Sequence, residues 1–91
     1  MTWNIEISPD ARKDLAKIGT AEAQRILKFL YHRVRLMENP RQTGKQLTGA
    51  SLSGLWRYRV GDYRILCMIE DQKICILVVE IGHRREIYKQ R

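Results

Sequence analysis

Three strand-like runs in the C-terminal half of the chain place the strongest constraint on its fold. They read LWRYRV, YRILCMIE and KICILVVEI, and the dipeptides GD and DQ separate them. Short breaks of this kind between apolar or alternating runs favour tight hairpins. The sequence therefore predicts three antiparallel strands, whose apolar side needs a second layer to cover it.

The register of the first predicted hairpin follows by counting outward from a turn at residues 61–62. Arg59 then lies opposite Arg64, and Arg57 shares their side of the sheet because strand side chains alternate between the two faces. The other side takes four residues suited to a core: Trp56, Tyr58, Ile65 and Cys67. We expect helices to cover that side.

The second hairpin is predicted to turn at residues 71–72. Glu70 then faces Lys73, a favourable cross-strand charge pair, and Met68 faces Cys75. Cys75 therefore lies on the opposite face from Cys67, so no disulfide between them is expected. The same count puts four further residues on the side of the arginines, the last if the strand extends that far: Leu77, Val79, Ile81 and His83.

The N-terminal half supplies the expected second layer. The alternating run TWNIEIS predicts a first strand, after which Ser8 and Pro9 fit the N-cap and the first position of a helix that ends at Gly19. Thr20 is predicted to cap a second helix that ends at Pro40. Helices joined so tightly form a hairpin on one face of a sheet.

The stretch 41–54 is rich in Gly, Ser and Thr and is predicted to be a surface loop anchored by Leu47 and Leu52. With 91 residues, the chain fits one domain of the α+β class over residues 1–91, in which two N-terminal helices pack on a small antiparallel sheet.

The charge of the chain points to the kind of partner it binds. Lys and Arg total 17 against 10 for Asp and Glu, which gives a net charge of +7. Such an excess favours nucleic acid or an acidic protein segment, although a basic surface that serves only solubility is the alternative. The sequence shows neither a targeting segment nor a membrane span, so it is interpreted as cytoplasmic.

The predicted arginine pair is unfavourable without a ligand. Like charges directly opposite each other on two strands repel, so Arg59 and Arg64 predict a bound anion such as phosphate. The alternative is that the arginines extend to solvent or pair with Glu80 and Glu86. The ending GHRREIYKQR adds more polar groups at the rim of this face, among them His83, Arg84, Arg85 and Tyr88.

The run GLWRYRVGDYRILCMIEDQKICILVVEIGHRREIY resembles the core of RelE-type toxins, the mRNA-cutting members of the RelE/ParE toxin–antitoxin superfamily. SPDARKDLAKI and LTG also fit, so the likeness covers nearly the whole chain. It implies an α+β fold and metal-independent endonucleolytic cleavage of mRNA at the ribosomal A site, which inhibits translation. It also implies the ribosome and mRNA as partners, an acidic antitoxin in a tight complex, and no cofactor.

The resemblance assigns roles residue by residue. The basic strand positions of the family match Arg57 and Arg59, and the other matched positions are Arg64, Arg84 and Tyr88. The best-studied member carries lysines where this chain has the first two arginines. Because arginine does not lose its proton, the chemical role of those positions stays open while their phosphate-binding role does not.

These considerations define two candidate sets. The catalytic set is Arg57, Arg59, Arg64, His83, Arg84 and Tyr88, and the substrate-binding set is Arg57, Arg59, Arg64, Arg84, Arg85 and Lys45. No metal ligand is assigned. His83 is the candidate general base or acid because histidine has an unperturbed pKa of about 6.5, with Tyr88 and Glu86 secondary. Two other functions stay open: a ParE-type inhibitor of DNA gyrase without nuclease activity, and a nonenzymatic RNA-binding module.

Overall fold

Two helices cover one face of a five-stranded sheet in the computed structural model, which describes residues 2–49 and 54–83. The sheet order is β1-β5-β4-β3-β2, with antiparallel neighbours except for the parallel pair β1 and β5. The strands are β1 (Asn4–Ile7), β2 (Lys45–Gln46), β3 (Trp56–Val60), β4 (Tyr63–Glu70) and β5 (Cys75–His83). The helices are α1 (Pro9–Ile18) and α2 (Thr20–His32). This arrangement confirms the predicted α+β class and helical hairpin.

Helix α1 begins and ends where the sequence predicts. The Ser8 hydroxyl accepts a hydrogen bond from the Ala11 backbone N–H at 3.1 Å, and Pro9 occupies the first helical position. Gly19, with φ of 94°, separates the two helices. Neither α1 nor α2, the α-helices of the described ranges, is long and apolar enough to cross a membrane.

Helix α2 departs from the prediction at both ends. Thr20 is its first residue rather than its cap, and the helix ends at His32 instead of continuing to Pro40. Arg33 leaves the helical conformation, with φ of −126°, and a short 3-10 helix follows at Val34–Leu36. Val34 is nevertheless fully buried, so the apolar spacing that suggested a longer helix reflects burial in this turn.

The core lies between the helices and the sheet. Fully buried residues come from both layers: Ala11, Ile26 and Leu30 from the helices, and Tyr58, Ile65, Cys67, Ile76 and Val78 from the strands. The Tyr58 hydroxyl donates to the Pro40 carbonyl at 2.6 Å, so the polar end of this buried ring is satisfied. Burial raises the pKa of Tyr58, which keeps the phenol neutral.

The first hairpin has the predicted register. Arg59 pairs with Arg64 and Arg57 pairs with Leu66 across a turn at Gly61 and Asp62. The residues predicted for the other face pack in or against the core, as expected.

The second hairpin differs from the prediction because its loop has four residues rather than two. Asp71–Lys73 form a 3-10 turn, and Ile74 takes a left-handed conformation with φ of 51°. As a result Glu70 pairs with Cys75, not with Lys73. Lys73 still contacts Glu70, at 3.4 Å, but within the turn.

The two-residue shift leaves each side chain on its predicted face at the start of β5. Cys75 therefore lies on the face opposite Cys67, as predicted, although it pairs with Glu70 rather than Met68. Both cysteines are free thiols, and burial raises the pKa of each.

A β-bulge in β5 then reverses the faces of the residues that follow. Cys67 pairs with Val78 and Leu66 pairs with Glu80, which leaves Val79 as the extra residue. Ile81 consequently lies in the core, where it pairs with Ile65, and not on the side of the arginines. The predictions for Ile81 and His83 are wrong for this one reason, whereas Leu77 keeps its predicted face.

The start of α1 packs against this bulge. The Ser8 hydroxyl donates to the Val79 carbonyl at 3.2 Å, and the Ile81 backbone N–H donates to the Asp14 carboxylate at 3.0 Å. Strand β1 ends at Ile7, so these polar side chains satisfy backbone groups of β5 beyond the last paired residue, Val78.

Candidate functional site

Four cations lie together on the sheet face that the helices leave uncovered. Lys45, Arg57, Arg59 and Arg64 come from the neighbouring strands β2, β3 and β4. We call these four residues the arginine face. Arg57 and Arg64 are partly buried, whereas Lys45 and Arg59 are exposed. The sequence predicted the three arginines here, and Lys45 joins them through a strand that it did not predict.

One row of the arginine face runs across four strands. Lys45 pairs with Arg57, Arg57 with Leu66, and Leu66 with Glu80. Leu66 is completely buried although it lies on the face away from the helices. The row therefore has two cations at one end, an apolar residue in the middle and a carboxylate at the other end.

The second row brings two arginines beside a glycine. Arg59 pairs with Arg64, and Arg64 pairs with Gly82. Gly82 has no side chain, so β5 places neither a counter-charge nor bulk next to Arg64 at this position. Like charges directly opposite each other are destabilising, and cross-strand pairs contribute about 0.2–1 kcal/mol.

The guanidinium of Arg64 has an unusual environment. Its Nε is buried and has no hydrogen-bond partner in the described part of the chain. A buried donor without a partner costs about 1–3 kcal/mol, and most buried polar groups in proteins are satisfied. An anion bound in the plane of this guanidinium would accept that hydrogen bond.

The ion pairs found among residues 2–49 and 54–83 lie away from the arginine face. They join Glu22 to Arg25 at 3.2 Å, Arg41 to Asp71 at 2.9 Å, and Glu70 to Lys73 at 3.4 Å. Arg41 holds Asp71 through two hydrogen bonds and lowers the pKa of its carboxyl. The alternative in which the arginines pair with Glu80 and Glu86 includes one residue, Glu86, outside the described ranges, whereas Glu80 lies on their side of the sheet opposite Leu66.

Strand β2 positions Lys45 within the segment that was predicted to be a loop. The Trp56 indole N–H donates to the Thr43 carbonyl at 2.8 Å. Gly44, with φ of 89°, follows, and a Cβ at this position would overlap the Arg57 carbonyl oxygen and the Trp56 indole nitrogen. The close approach that only glycine permits thus brings Lys45 beside Arg57.

His83 does not join the arginine face. It pairs with Tyr63 on the helix side of the sheet, and the two rings meet edge to face with centroids 5.8 Å apart. The bulge at Val79 causes this placement. The sequence placed His83 on the side of the arginines, and that position is wrong.

Sequence reasoning missed one feature of the arginine face, the position of Gly82 beside Arg64. Glu80 was considered as an alternative partner of the arginines, and the bulge brings it to their side of the sheet. No residue pattern marked the bulge, because Val78 and Val79 are both acceptable strand residues. The other predicted site residues, Arg84, Arg85, Glu86 and Tyr88, lie outside the described part of the chain.

Comparison with known proteins identifies the family. The family model described as the ParE toxin of the type II toxin–antitoxin system, parDE, matches residues 5–88. Toxin RelG of Mycobacterium tuberculosis is 28% identical, over 99% of this chain and 100% of the relative. The mRNA interferase toxin RelE of Escherichia coli is 25% identical, over 99% of this chain and 94% of the relative.

The fold agrees with a solved structure of such a protein. The toxin–antitoxin complex RelBE2 of Mycobacterium tuberculosis contains a chain that superposes with a TM-score of 0.82 at 24% identity, covering 94% of this chain and 95% of that one. The family model, the relatives and this fold agree with the resemblance seen in the sequence. The chain belongs to the ParE toxin family of type II toxin–antitoxin systems and is a RelE-type toxin of the RelE/ParE superfamily.

Proposed function

We propose that this toxin is an endoribonuclease that cleaves mRNA and thereby inhibits translation. The observation that carries the proposal is the arginine face, where Lys45, Arg57 and Arg59 share one side of the sheet with Arg64, whose buried Nε lacks a partner in the described residues. A relative with the same span of sequence bears the name mRNA interferase. A phosphodiester is the ligand whose charge and geometry suit such a cluster.

The proposed reaction is attack by the RNA 2′-oxygen on the adjacent phosphorus, with departure of the 5′-oxygen. Negative charge grows on the phosphorane oxygens, and positioned cations stabilise it. In this proposal Arg64 binds two of these oxygens through its planar guanidinium, while Arg57 and Arg59 hold the flanking backbone. In this proposal guanidinium groups supply the stabilisation, so cleavage does not require a metal ion.

Residues beyond His83 complete the proposed site. Arg84 and Arg85 would add cations at the end of β5, and Tyr88 would stack on a base or orient the phosphate. Each stays a prediction, and alanine variants of the three would test them individually.

We further propose that the substrate is mRNA in the ribosomal A site, in the cytoplasm. The arginine face offers four described cations, so ribosomal RNA and the held mRNA would supply much of the remaining binding. Primer extension on ribosome-bound mRNA and on the same RNA free in solution, each in Mg²⁺ and in Ca²⁺, tests both points. Equal rates on the two RNAs would contradict ribosome dependence, and cleavage in only one of the two metal ions, with the mRNA equally ribosome-bound in both, would contradict the metal-free mechanism.

The proposed protein partner is an acidic antitoxin that binds tightly. Structures with this fold include toxin–antitoxin complexes, and the net charge of +7 suits an acidic segment that folds on contact. We expect the antitoxin to block cleavage, which titration of the toxin with its antitoxin would measure. Full cleavage by the saturated complex would contradict this.

Inhibition of DNA gyrase is the second candidate function, because the matching family model is that of the ParE toxins. The arginine face could bind DNA or an acidic protein surface without chemistry. A supercoiling assay with purified gyrase separates the two candidates. Inhibited supercoiling with intact mRNA would favour the gyrase inhibitor, whereas intact mRNA and normal supercoiling with retained RNA binding would favour a nonenzymatic RNA-binding module.

A further inference from the structure

The proposed cleavage needs a proton for the departing 5′-oxygen, and the arginine face contains a suitable donor. We propose that Lys45 is the general acid of this site, an inference that rests on the proposed RNA cleavage. Lys45 was predicted only as a substrate-binding residue, and the structure gives it a specific place in β2.

The chemistry of the four cations singles out Lys45. A guanidinium stays protonated at any accessible pH, so Arg57, Arg59 and Arg64 stabilise charge but do not transfer protons. A lysine ammonium carries a proton that it can release. Within the arginine face, as the described residues define it, Lys45 is therefore the cation able to act as an acid.

The position of Lys45 allows it to share a phosphate with the arginines. Directly opposed residues on antiparallel strands have Cβ atoms about 4.5–5.5 Å apart, so Lys45 and Arg57 start as close neighbours. Strands β2 and β4 lie two strand spacings apart, roughly 10 Å, and Lys45 is one row away from Arg64, roughly 7 Å along the strands, so their backbones are roughly 12 Å apart. Both residues have long side chains that can span this distance together. A phosphate above β3 is within reach of both strands.

The local structure holds the backbone of Lys45 in this place. Gly44 packs against the Arg57 carbonyl without room for a side chain, and Trp56 fixes Thr43 through its indole. These contacts supplement the pairing of β2 with β3, which involves only two residues of each strand. Both contacts are made by residues that come just before Lys45 in the sequence, Thr43 and Gly44. The side chain of Lys45 itself is exposed on the arginine face.

The other titratable groups are less well placed. His83 lies on the helix side of the sheet against Tyr63. Glu80 lies in the same row as Lys45, but Arg57 and Leu66 stand between them. The charged groups that share this face with Lys45 in β3, β4 and β5 are thus Arg57, Arg59, Arg64, Glu70 and Glu80, and Glu70 lies at the far end of β4, where it contacts Lys73.

The proton balance of the step is simple. The bond between O2′ and phosphorus forms while the bond between phosphorus and O5′ breaks. The 2′-hydroxyl proton passes to solvent water, and the Lys45 ammonium gives one proton to O5′. The products are a 2′,3′-cyclic phosphate and a 5′-hydroxyl, and the resulting amine recovers its proton from water.

The first experiment compares variants that keep or remove the charge at this position. Single-turnover cleavage of ribosome-bound mRNA would be measured for wild type, Lys45→Arg, Lys45→Gln and the control Lys73→Arg. General acid catalysis contributes about 10²–10⁴-fold, so we expect both Lys45 variants to lose about 10²-fold or more and Lys73→Arg to match wild type. If Lys45 only binds phosphate, Lys45→Arg will cleave within threefold of wild type, which would overturn the proposal.

A second substrate separates proton donation from positioning. An mRNA with sulfur in place of the 5′-oxygen at the scissile phosphate has a leaving group that departs without a proton, because thiolates are weakly basic. We expect Lys45→Arg to cleave this mRNA within about threefold of wild type, while Arg64→Ala stays defective on both substrates. An equal loss for Lys45→Arg on both substrates would overturn the proposal, and a wild-type toxin that cleaves neither would overturn the proposed function itself.

Discussion

The guanidinium of Arg64 differs in three ways from that of an ordinary surface arginine. It lies opposite another arginine, its Nε is buried, and that donor has no partner among residues 2–49 and 54–83. The cost of an unsatisfied donor, about 1–3 kcal/mol, disappears when an anion binds. The free toxin is thus less stable by about this amount than it would be with the donor satisfied.

Replacing Arg64 tests this interpretation. We expect Arg64→Ala to reduce single-turnover mRNA cleavage by about 10²-fold or more, because removal of one group that stabilises an oxyanion costs about 10²–10³-fold. Arg12→Ala, an exposed arginine of α1, is the control. Thermal unfolding of Arg64→Ala should show no loss of stability, because the variant removes a buried unpaired donor. Cleavage within threefold of wild type would contradict the assignment.

His83 leads to the opposite expectation. Its ring packs edge to face on Tyr63, away from the arginine face. We expect His83→Gln to cleave mRNA within about threefold of wild type and with the same pH profile between pH 5 and 8, where a histidine titrates. A loss of about 10²-fold together with a changed pH profile would restore His83 as the proton carrier.

At the scale of secondary structure, the strand register could be predicted where the turn has the two residues that the sequence suggests. The dipeptide at Gly61 and Asp62 fixes the first hairpin, and the three arginines fall on the predicted face. Ser8, Pro9 and Gly19 likewise mark α1 correctly because capping is a local property.

Two features of β5 were beyond local reasoning. The left-handed Ile74 extends the second loop to four residues, and such a conformation is uncommon for a β-branched residue. The bulge at Val79 forms where the Ser8 hydroxyl reaches its carbonyl, a contact between residues 71 positions apart. Strand β2 was missed because two residues are too few to show alternation.

Gly44 provides a test of how β2 supports the site. We expect Gly44→Ala to lower the melting temperature by about 5 °C or more relative to Gly49→Ala, since about 1 kcal/mol corresponds to 4–8 °C in a domain of this size. Both glycines have positive φ, 89° and 108°, but of the two only Gly44 would bring a Cβ within 4 Å of other atoms. Differential scanning calorimetry would measure the difference. Equal melting temperatures would show that the close approach at Gly44 is not needed.

The same pair of variants separates stability from function. At a temperature where both are folded, Gly44→Ala should cleave mRNA at least tenfold more slowly than Gly49→Ala, because the backbone of Lys45 is displaced. Equal rates would indicate that Lys45 tolerates movement of β2.

At the scale of the whole molecule, the net charge of +7 and the cluster on one sheet face govern encounters with polyanions. Helices α1 and α2 cover the other face, so the sheet presents its cations in one direction. Binding of RNA should therefore depend on salt to an extent set by this cluster.

The salt dependence of RNA binding measures how many phosphates the protein neutralises. Single-stranded RNA gives a slope of roughly −0.7 for each neutralised phosphate in a plot of log K against log salt, so four cations predict about −3. Arg59→Gln should reduce the slope by about 0.7, and Arg12→Gln should leave it unchanged. Fluorescence anisotropy with a short RNA at several salt concentrations would show this. A slope near zero for wild type would contradict a phosphate-binding face.

The lengths of the outer strands also affect whether molecules of this toxin aggregate through their sheet edges. The outermost strands, β1 and β2, have four and two residues, whereas β4 and β5 in the interior have eight and nine. Long exposed strand edges recruit strands from other molecules and lead to aggregation, and short edges blunt this tendency. Ser8 and Asp14 also occupy backbone groups of β5 beyond the end of β1. An incoming chain would gain only a few backbone hydrogen bonds at β1 or β2, so these short edges disfavour fibre-like growth even when the toxin is concentrated.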